Sequence, residues 1–341
     1  MTGLLRRRVV WLPVSVVLLG FVAWRSRIWE ATSVLAHVDP APLVVALALN
    51  GIVLVLWAAR SADLLTAAGR PVPLLPLVPM TAFANTMNNV TPGSMGELVR
   101  LYLLRAHHGV DYATGGAVVL IERAVAIGYL SGSAVVLWLG HAWRVPLPLQ
   151  VVVILALVAA PAVVYALGLR PAAFVARLPA SAIVGAERWG RFESGLGRLD
   201  ATVARLLTDP VRAALFALFT AGIFAVYATQ LLLAGLAFGV HLDPLVAWAT
   251  LGLGITAGVI SLLPFGLGST DVVVLALLGA AGVGPLEAAA MTLAYRLVAT
   301  LPLGLAGIAS YAFLSASLPD TGTGGALAAA RRGLAGPDEA G

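Results

Sequence analysis

The 341-residue chain contains no cysteine and no lysine, and only 11% of its residues are charged. Lack of cysteine excludes a disulfide framework and any thiolate metal or redox centre. Lack of lysine removes the usual Schiff-base nucleophile. The scarcity of charge excludes an ordinary soluble domain, in which about a quarter of residues are ionisable. No P-loop, nucleophile elbow or acidic metal-binding pair occurs. His107 and His108 are adjacent, so they point to different faces of a helix rather than at one metal ion. The net charge of +5 is not organised as a basic groove interleaved with aromatics, so nucleic acid is not an expected partner. Neither a catalytic residue, a cofactor nor a metal site is predicted.

Apolar residues are what the chain has in excess, at 60% of the total. Runs at 9–24, 43–59, 114–139, 149–169, 213–238 and 286–314 each suffice to cross ~30 Å of hydrocarbon at ~1.5 Å per residue, the shorter ones with help from flanking residues. Arg6-Arg7-Arg8 precede the first run like the start of a signal peptide, but no small-residue cleavage site follows, so a retained anchor is expected. Trp24, Trp57, Trp138 and Trp143, near helix ends, read as interfacial anchors. Two further apolar regions, 74–106 and 247–281, are interrupted by Asn88-Asn89-Val90-Thr91-Pro92-Gly93 and by Pro264-Phe265-Gly266-Leu267-Gly268. Both interruptions break a helix. The regions read as re-entrant helical hairpins, whose irregular backbone persists at membrane depth only where protein or water buries it. Kinked full spans, giving about eight to ten crossings, are the alternative.

The two interrupted regions are copies of one another. Gly93, Gly109, Val110 and Arg123 recur at one constant offset as Gly266, Gly282, Val283 and Arg296. Each copy is a broken apolar run, a short helix, a Gly-Val turn and a long apolar helix with an arginine deep inside it. The first spans about 74–140 and the second about 247–314. Arginines cluster at the N-terminus, near Arg60 and Arg70, across 170–212 and at Arg331-Arg332. With six full spans and two hairpins that return to their own side, every cluster falls in the cytoplasm, as do both termini. The hairpins then enter from opposite faces and the repeats are inverted, an arrangement that presents one midplane site to both sides of a membrane. The expected fold is thus all-α, a polytopic bundle occupying 1–318 with two inverted repeats, each carrying a re-entrant broken helix, followed by a disordered tail at 319–341.

Asp111 and Gly284 occupy equivalent N-cap positions, Pro285 suits a first helical turn, and Asp209-Pro210 and Asp243-Pro244 mark two further helix starts. Within 170–212, Phe192, Leu196, Leu199, Val203 and Leu206 form an apolar stripe flanked by Arg191, Arg198 and Arg205 on one side and by Glu193 and Asp200 on the other. Such a helix either lies under anionic headgroups or packs on the bundle from the cytoplasm.

Ionisable groups deep in a bilayer cost about 2.5–3.5 kcal/mol each on insertion scales, so they are paired or functional. The candidates are Glu97, Arg100, Glu122, Arg123, Asp271 and Arg296. Two readings stand side by side. Glu97–Arg123 and Asp271–Arg296 are salt bridges that fix the fold, or the two arginines hold a phosphate that their carboxylates help to release. Arginine suits the second role because its planar fork meets phosphate oxygens in pairs and stays charged when desolvated. The Gly-rich turns at Pro92, Gly93 and Gly96 and at Pro264, Gly266 and Gly268 are placed to aim backbone N–H groups at an anion. Asn85, Asn88 and Asn89 line the same cavity or hold helices together.

Asn85…Asn89-Val90-Thr91-Pro92-Gly93…Gly96-Glu97…Arg100, with Gly109-Val110 and Glu122-Arg123, resembles the signature of the lysylphosphatidylglycerol synthase transmembrane, flippase-like family. Pro264-Phe265-Gly266…Gly268…Asp271, Gly282-Val283, Tyr295-Arg296, Pro302 and Gly304 resemble its C-terminal signature, with Asp271 where many relatives carry Glu. The resemblance covers 6–314. It implies a plasma-membrane protein that moves an aminoacylated phospholipid, or in stand-alone relatives a polyprenyl-linked lipid, between leaflets. No counterpart of the family's soluble aminoacyl-transferase domain is present, so translocation rather than synthesis is expected. Its partners would be that lipid and a membrane or cytoplasmic lipid-modifying enzyme.

Two other classes compete. A non-catalytic subunit would dock a glycosyl- or acyltransferase through 170–212. A polyprenyl-pyrophosphate phosphatase also uses inverted hairpins, and Ser94 or Ser269 would offer a hydroxyl, but the E-x-x-x-E spacing of that family is absent.

Overall fold

The computed structural model describes residues 38–90, 95–168, 186–261 and 263–316. The predicted first span and the terminal tail fall outside these residues, as do Thr91–Ser94 of the first break. The described residues form helices α1 (Pro40–Ala67), α2 (Leu74–Val90), α3 (Met95–His108), α4 (Tyr112–Ala142), α5 (Leu147–Ala166), α6 (Ala186–Thr208), α7 (Pro210–Ala237), α8 (Pro244–Ser261), α9 (Ser269–Ala280), α10 (Pro285–Tyr295) and α11 (Leu301–Ala316). Among them there is no strand. Helices α10 and α11 are continuous through a π-helical turn at Arg296–Thr300.

Five of these stretches are long and apolar enough to cross a membrane: Pro40–Ala67, Tyr112–Ala142, Pro210–Ala237, Pro244–Ser261 and Pro285–Leu314. Four correspond to spans predicted from the sequence. The fifth, α8, falls in the second interrupted region, where half of a hairpin was expected. Its 18 residues amount to ~27 Å at ~1.5 Å per residue, so its length alone suits a crossing. Helix α2 is one residue shorter and carries Pro79 in its interior.

Helix ends follow the local sequence rules. The Asp39, Asp111, Asp209 and Asp243 carboxylates accept hydrogen bonds from first-turn backbone N–H groups, at 2.7–3.1 Å for the shortest in each case. Burial alone would push the Asp111 carboxyl up, but the Thr114 N–H and hydroxyl and the Arg198 guanidinium hold it below the usual range. Gly284 caps α10 with Pro285 in the first turn. Both Gly-Val turns close helices with a glycine at positive φ, Gly109 and Gly282, and Val110 and Val283 donate back to the carbonyls of Leu104 and Leu278, a register one residue longer in the first copy. This is the left-handed helix stop that glycine permits at no steric cost.

Packing pairs the two copies crosswise. Helix α2 of the first copy lies against α11 of the second, and α8 of the second lies against α4 of the first. Both crossings are close. A Cβ on Gly307 would fall 2.0 Å from Thr86 Oγ1, and one on Gly252 would fall 2.5 Å from the Ala134 Cβ. Small residues let helix backbones approach in this way where lipid offers no hydrophobic drive to association. The flanking helices α1 and α7 pack on one another along their length, joined by Gln230, whose amide donates to the Ala46 carbonyl at 2.9 Å. Leu199, Val203 and Leu206 of α6 join the apolar cluster around Leu64, Leu103 and Leu104. These three residues of the α6 stripe therefore pack on the bundle.

Candidate functional site

Helix α3 is set tightly against α2. A Cβ on Gly96 would lie 2.0 Å from the Ala84 carbonyl oxygen and 2.6 Å from the Asn88 nitrogen. The close approach lets Asn88 bridge the break: its Oδ1 accepts from the Glu97 N–H at 3.1 Å, and its Nδ2 donates to Glu97 Oε1 at 2.8 Å. Glu97 in turn accepts from Arg123, through Nε at 2.9 Å and also through Nη2. Arg100, one turn further along α3, is 6% exposed and pairs with Glu122 at 2.6 Å. The other oxygen of Glu122 accepts from the Ser61 hydroxyl of α1 at 2.7 Å. The first copy therefore holds a chain of alternating charges across α3 and α4, which the Ser61 hydroxyl of α1 terminates.

The second copy is simpler. Phe265 adopts φ 53° and ψ 14° in the short turn Pro264–Gly266, a left-handed conformation that costs a non-glycine residue about 1–3 kcal/mol. The turn directs two carbonyl oxygens at Arg296: Nη1 donates to Phe265 O at 2.8 Å and Nη2 to Gly266 O at 3.4 Å. Nε donates to Asp271 at 2.9 Å, while the other Asp271 oxygen accepts from the Gly268 N–H at 2.9 Å. The Gly266 N–H is engaged by the Leu263 carbonyl. Here the turn differs from the expected anion cradle: its carbonyls face a cation, and the N–H groups of Gly266 and Gly268 are occupied within the protein. Both expected pairs, Glu97–Arg123 and Asp271–Arg296, are formed.

These groups surround a cavity of about 650 Å³ at the junction of the two copies. Of the residues predicted to bind a substrate, Asn85, Asn89, Glu97, Arg100, Glu122 and Arg123 line it from the first copy, and Gly266 and Arg296 from the second. Gly96 and Asp271 are buried behind the lining, Gly268 caps α9 and Pro264 opens the strained turn. Pro92 and Gly93 lie outside the described residues. Ile127, Val259 and Ile260 belong to the lining and also expose 42–75% of their area at the protein surface. The chamber thus sets its arginines and carboxylates within a largely apolar lining that continues into an exposed aliphatic rim.

The sequence reading missed the wall supplied by α1 and α7: Trp57, Arg60, Ser61 and Tyr227. Trp57 is buried against Ile223 and Phe224 rather than anchored at an interface, and Arg60 lines the chamber rather than standing outside the bundle. The available signal was distance: Arg60 lies two helical turns before the end of α1 at Ala67, which is deep for a residue that only marks topology.

A bundle of apolar helices enclosing paired arginines and carboxylates in a chamber with an apolar rim defines an integral membrane protein with an internal polar site. The lysylphosphatidylglycerol synthase TM region model matches residues 8–307, and the chain belongs to that family. Comparison with curated proteins gives no match.

Proposed function

We propose that the chain is a lipid translocase, moving a lipid with a phosphate-containing headgroup between leaflets through the chamber described above. The observation that carries this reading is the combination of an interior lined by arginines with an exposed aliphatic rim. A water-soluble anion has no use for an apolar entrance, whereas a lipid requires one for its chains while its headgroup occupies the arginine-lined interior. Family membership supports a lipid-related role. The crosswise pairing of α2 with α11 and α8 with α4 suits inverted repeats, in which two equivalent halves rock about a shared site. The helices flanking each break, α2 with α3 and α8 with α9, then act as gates in a plasma-membrane protein whose termini face the cytoplasm. The lipid is a phospholipid, aminoacylated or not, or a polyprenyl-linked one.

The two deep arginines have different parts in this scheme. Arg296 is held by a carboxylate and two carbonyls and fixes the second broken turn. Of these two, Arg123 keeps 39% of its side chain exposed and can reach a headgroup while remaining near Glu97. Reconstitution into vesicles carrying a fluorescent phospholipid, followed by quenching of the outer leaflet, tests this division. Arg123→Ala should abolish lipid movement with a smaller drop in melting temperature than Arg296→Ala, which should lower both. Wild-type movement by Arg123→Ala would reject the assignment. No movement by the wild-type chain unless a transferase co-purifies would favour a docking subunit instead.

A further inference from the structure

We infer that Arg60 is the primary anchor of the ligand, and that the ligand's headgroup is a phosphodiester carrying one negative charge. This rests on the translocase reading and specifies its substrate class.

The other three arginines lining the chamber each have a carboxylate partner: Arg100 with Glu122, Arg123 with Glu97 and Arg296 with Asp271. Arg60 also lines the chamber, yet among the described residues no carboxylate lies within salt-bridge distance of it and its Nε donates to nothing. The charges that act on it are Glu122, already shared by Ser61 and Arg100, and the cations Arg100 and Arg123. A guanidinium presents five donors in a rigid fork and does not deprotonate. Left unpaired beside two like charges in a low-dielectric interior, it is costly, and an arriving anion removes that cost.

Charge balance narrows the anion. With three pairs neutralised, the chamber carries one surplus positive charge, that of Arg60. A monoanionic phosphodiester cancels it, whereas a diphosphate overshoots and sets its second charge against Glu97 and Glu122. The surplus is confined to one half of the molecule. At the offset that places Arg123 on Arg296, Arg60 corresponds to Leu233, Arg100 to Val273 and Glu122 to Tyr295. Helix α7, which stands to the second copy as α1 stands to the first, thus has no equivalent anchor, and the phosphate is held from the α1 side. Trp57, one turn before Arg60 on the same wall, supplies a flat apolar surface beside it.

Native mass spectrometry of the purified full chain measures binding without requiring transport. The probes are a phosphatidylglycerol, a polyprenyl-phosphate monosaccharide, a polyprenyl diphosphate and a diacylglycerol. The two phosphodiesters should bind at least tenfold more tightly than the diphosphate or the phosphate-free lipid, and whichever of the two binds more tightly identifies the source of the lipid. Arg60→Gln should lose that preference, Arg60→Lys should retain part of it, and Arg144→Gln, an exposed position, should leave it unchanged. Tighter diphosphate binding by the wild type, or an unaltered preference in a folded Arg60→Gln, overturns the inference. If Arg60→Gln does not fold, the wild-type ranking together with Arg60→Lys decides. Phosphodiester binding with no lipid movement in vesicles would refute the translocase and leave the anchor standing.

Discussion

At the scale of single residues, the chamber separates arginines that maintain the structure from those available to a ligand. The distinction is a matter of donors already used. Arg296 uses Nε, Nη1 and Nη2 on protein oxygens, whereas Arg60 uses none among the described residues. Asn50 illustrates the structural kind. Pro302 has no N–H, so it cannot donate to the Val298 carbonyl one turn back. The Asn50 amide on α1 donates to that oxygen at 2.6 Å, and Gln230 approaches the Asn50 Oδ1 at 3.3 Å. Asn50→Ala strands a part-buried carbonyl at a cost of about 1 kcal/mol. A thermal melt of the purified protein should show that loss, whereas an unchanged melting temperature would mean that another donor takes over. Legibility in the sequence followed the same division. Arg123 and Arg296 stood out because duplication set them at matching positions, and Glu97 and Asp271 because each follows a glycine break. Arg60 has Leu233 opposite it, and with Arg70 nearby it resembled an ordinary topology marker. Single-copy residues carry no internal comparison, so only the packing of α1 against the other helices reveals which way Arg60 faces.

At the scale of elements, helix starts and stops were readable because they depend on a few adjacent residues: Asp before Pro at α7 and α8, Gly-Val after α3 and α9. What an interrupted helix does after its break was less readable, because that depends on the opposing helix. The second Gly turn was expected to offer N–H groups to an anion, and it instead offers carbonyls to Arg296, because Phe265 takes the left-handed conformation and Asp271 claims the Gly268 N–H. In the first copy it is Gly96 that sets the approach of the two helices across the break. Its missing Cβ admits backbone atoms of α2 from both Ala84 and Asn88, and neither can swing aside as a side-chain tip would. Gly96→Ala should therefore force α2 and α3 apart, cost about 1–3 kcal/mol through overpacking and break the Asn88–Glu97 bridge along with lipid movement. Gly116→Ala, at a position where an added Cβ meets nothing within 4 Å, should preserve both. Equal stability of the two variants in a melt would show that the α2–α3 contact is looser than it stands here.

At the scale of the whole molecule, the translocase proposed above raises the question of which interface would move for the chamber to exchange one opening for the other. The crosswise contacts leave two candidates, α2 with α11 and α8 with α4, and they are sealed differently. Thr86 of α2 reaches only the Leu303 and Gly304 carbonyls of α11, both at 3.4 Å. On the other side the Ser131 hydroxyl of α4 meets the Thr256 hydroxyl of α8 at 2.8 Å, and both residues line the chamber close to the exposed rim of Ile127, Val259 and Ile260. Rocking of two halves requires that one such seam part while the other holds. The α4–α8 seam, which borders the apolar rim, is the one whose opening would admit lipid chains. The chain has no native cysteine, so a Ser131→Cys, Thr256→Cys double variant carries one thiol pair and no competing ones. Oxidation should join α4 to α8 and stop lipid movement in vesicles, and a reductant should restore it, while each single variant should move lipid at the wild-type rate under both conditions. Unimpeded movement by the oxidised, fully cross-linked protein would show that this seam stays shut throughout the cycle, and would transfer the moving interface to α2 and α11.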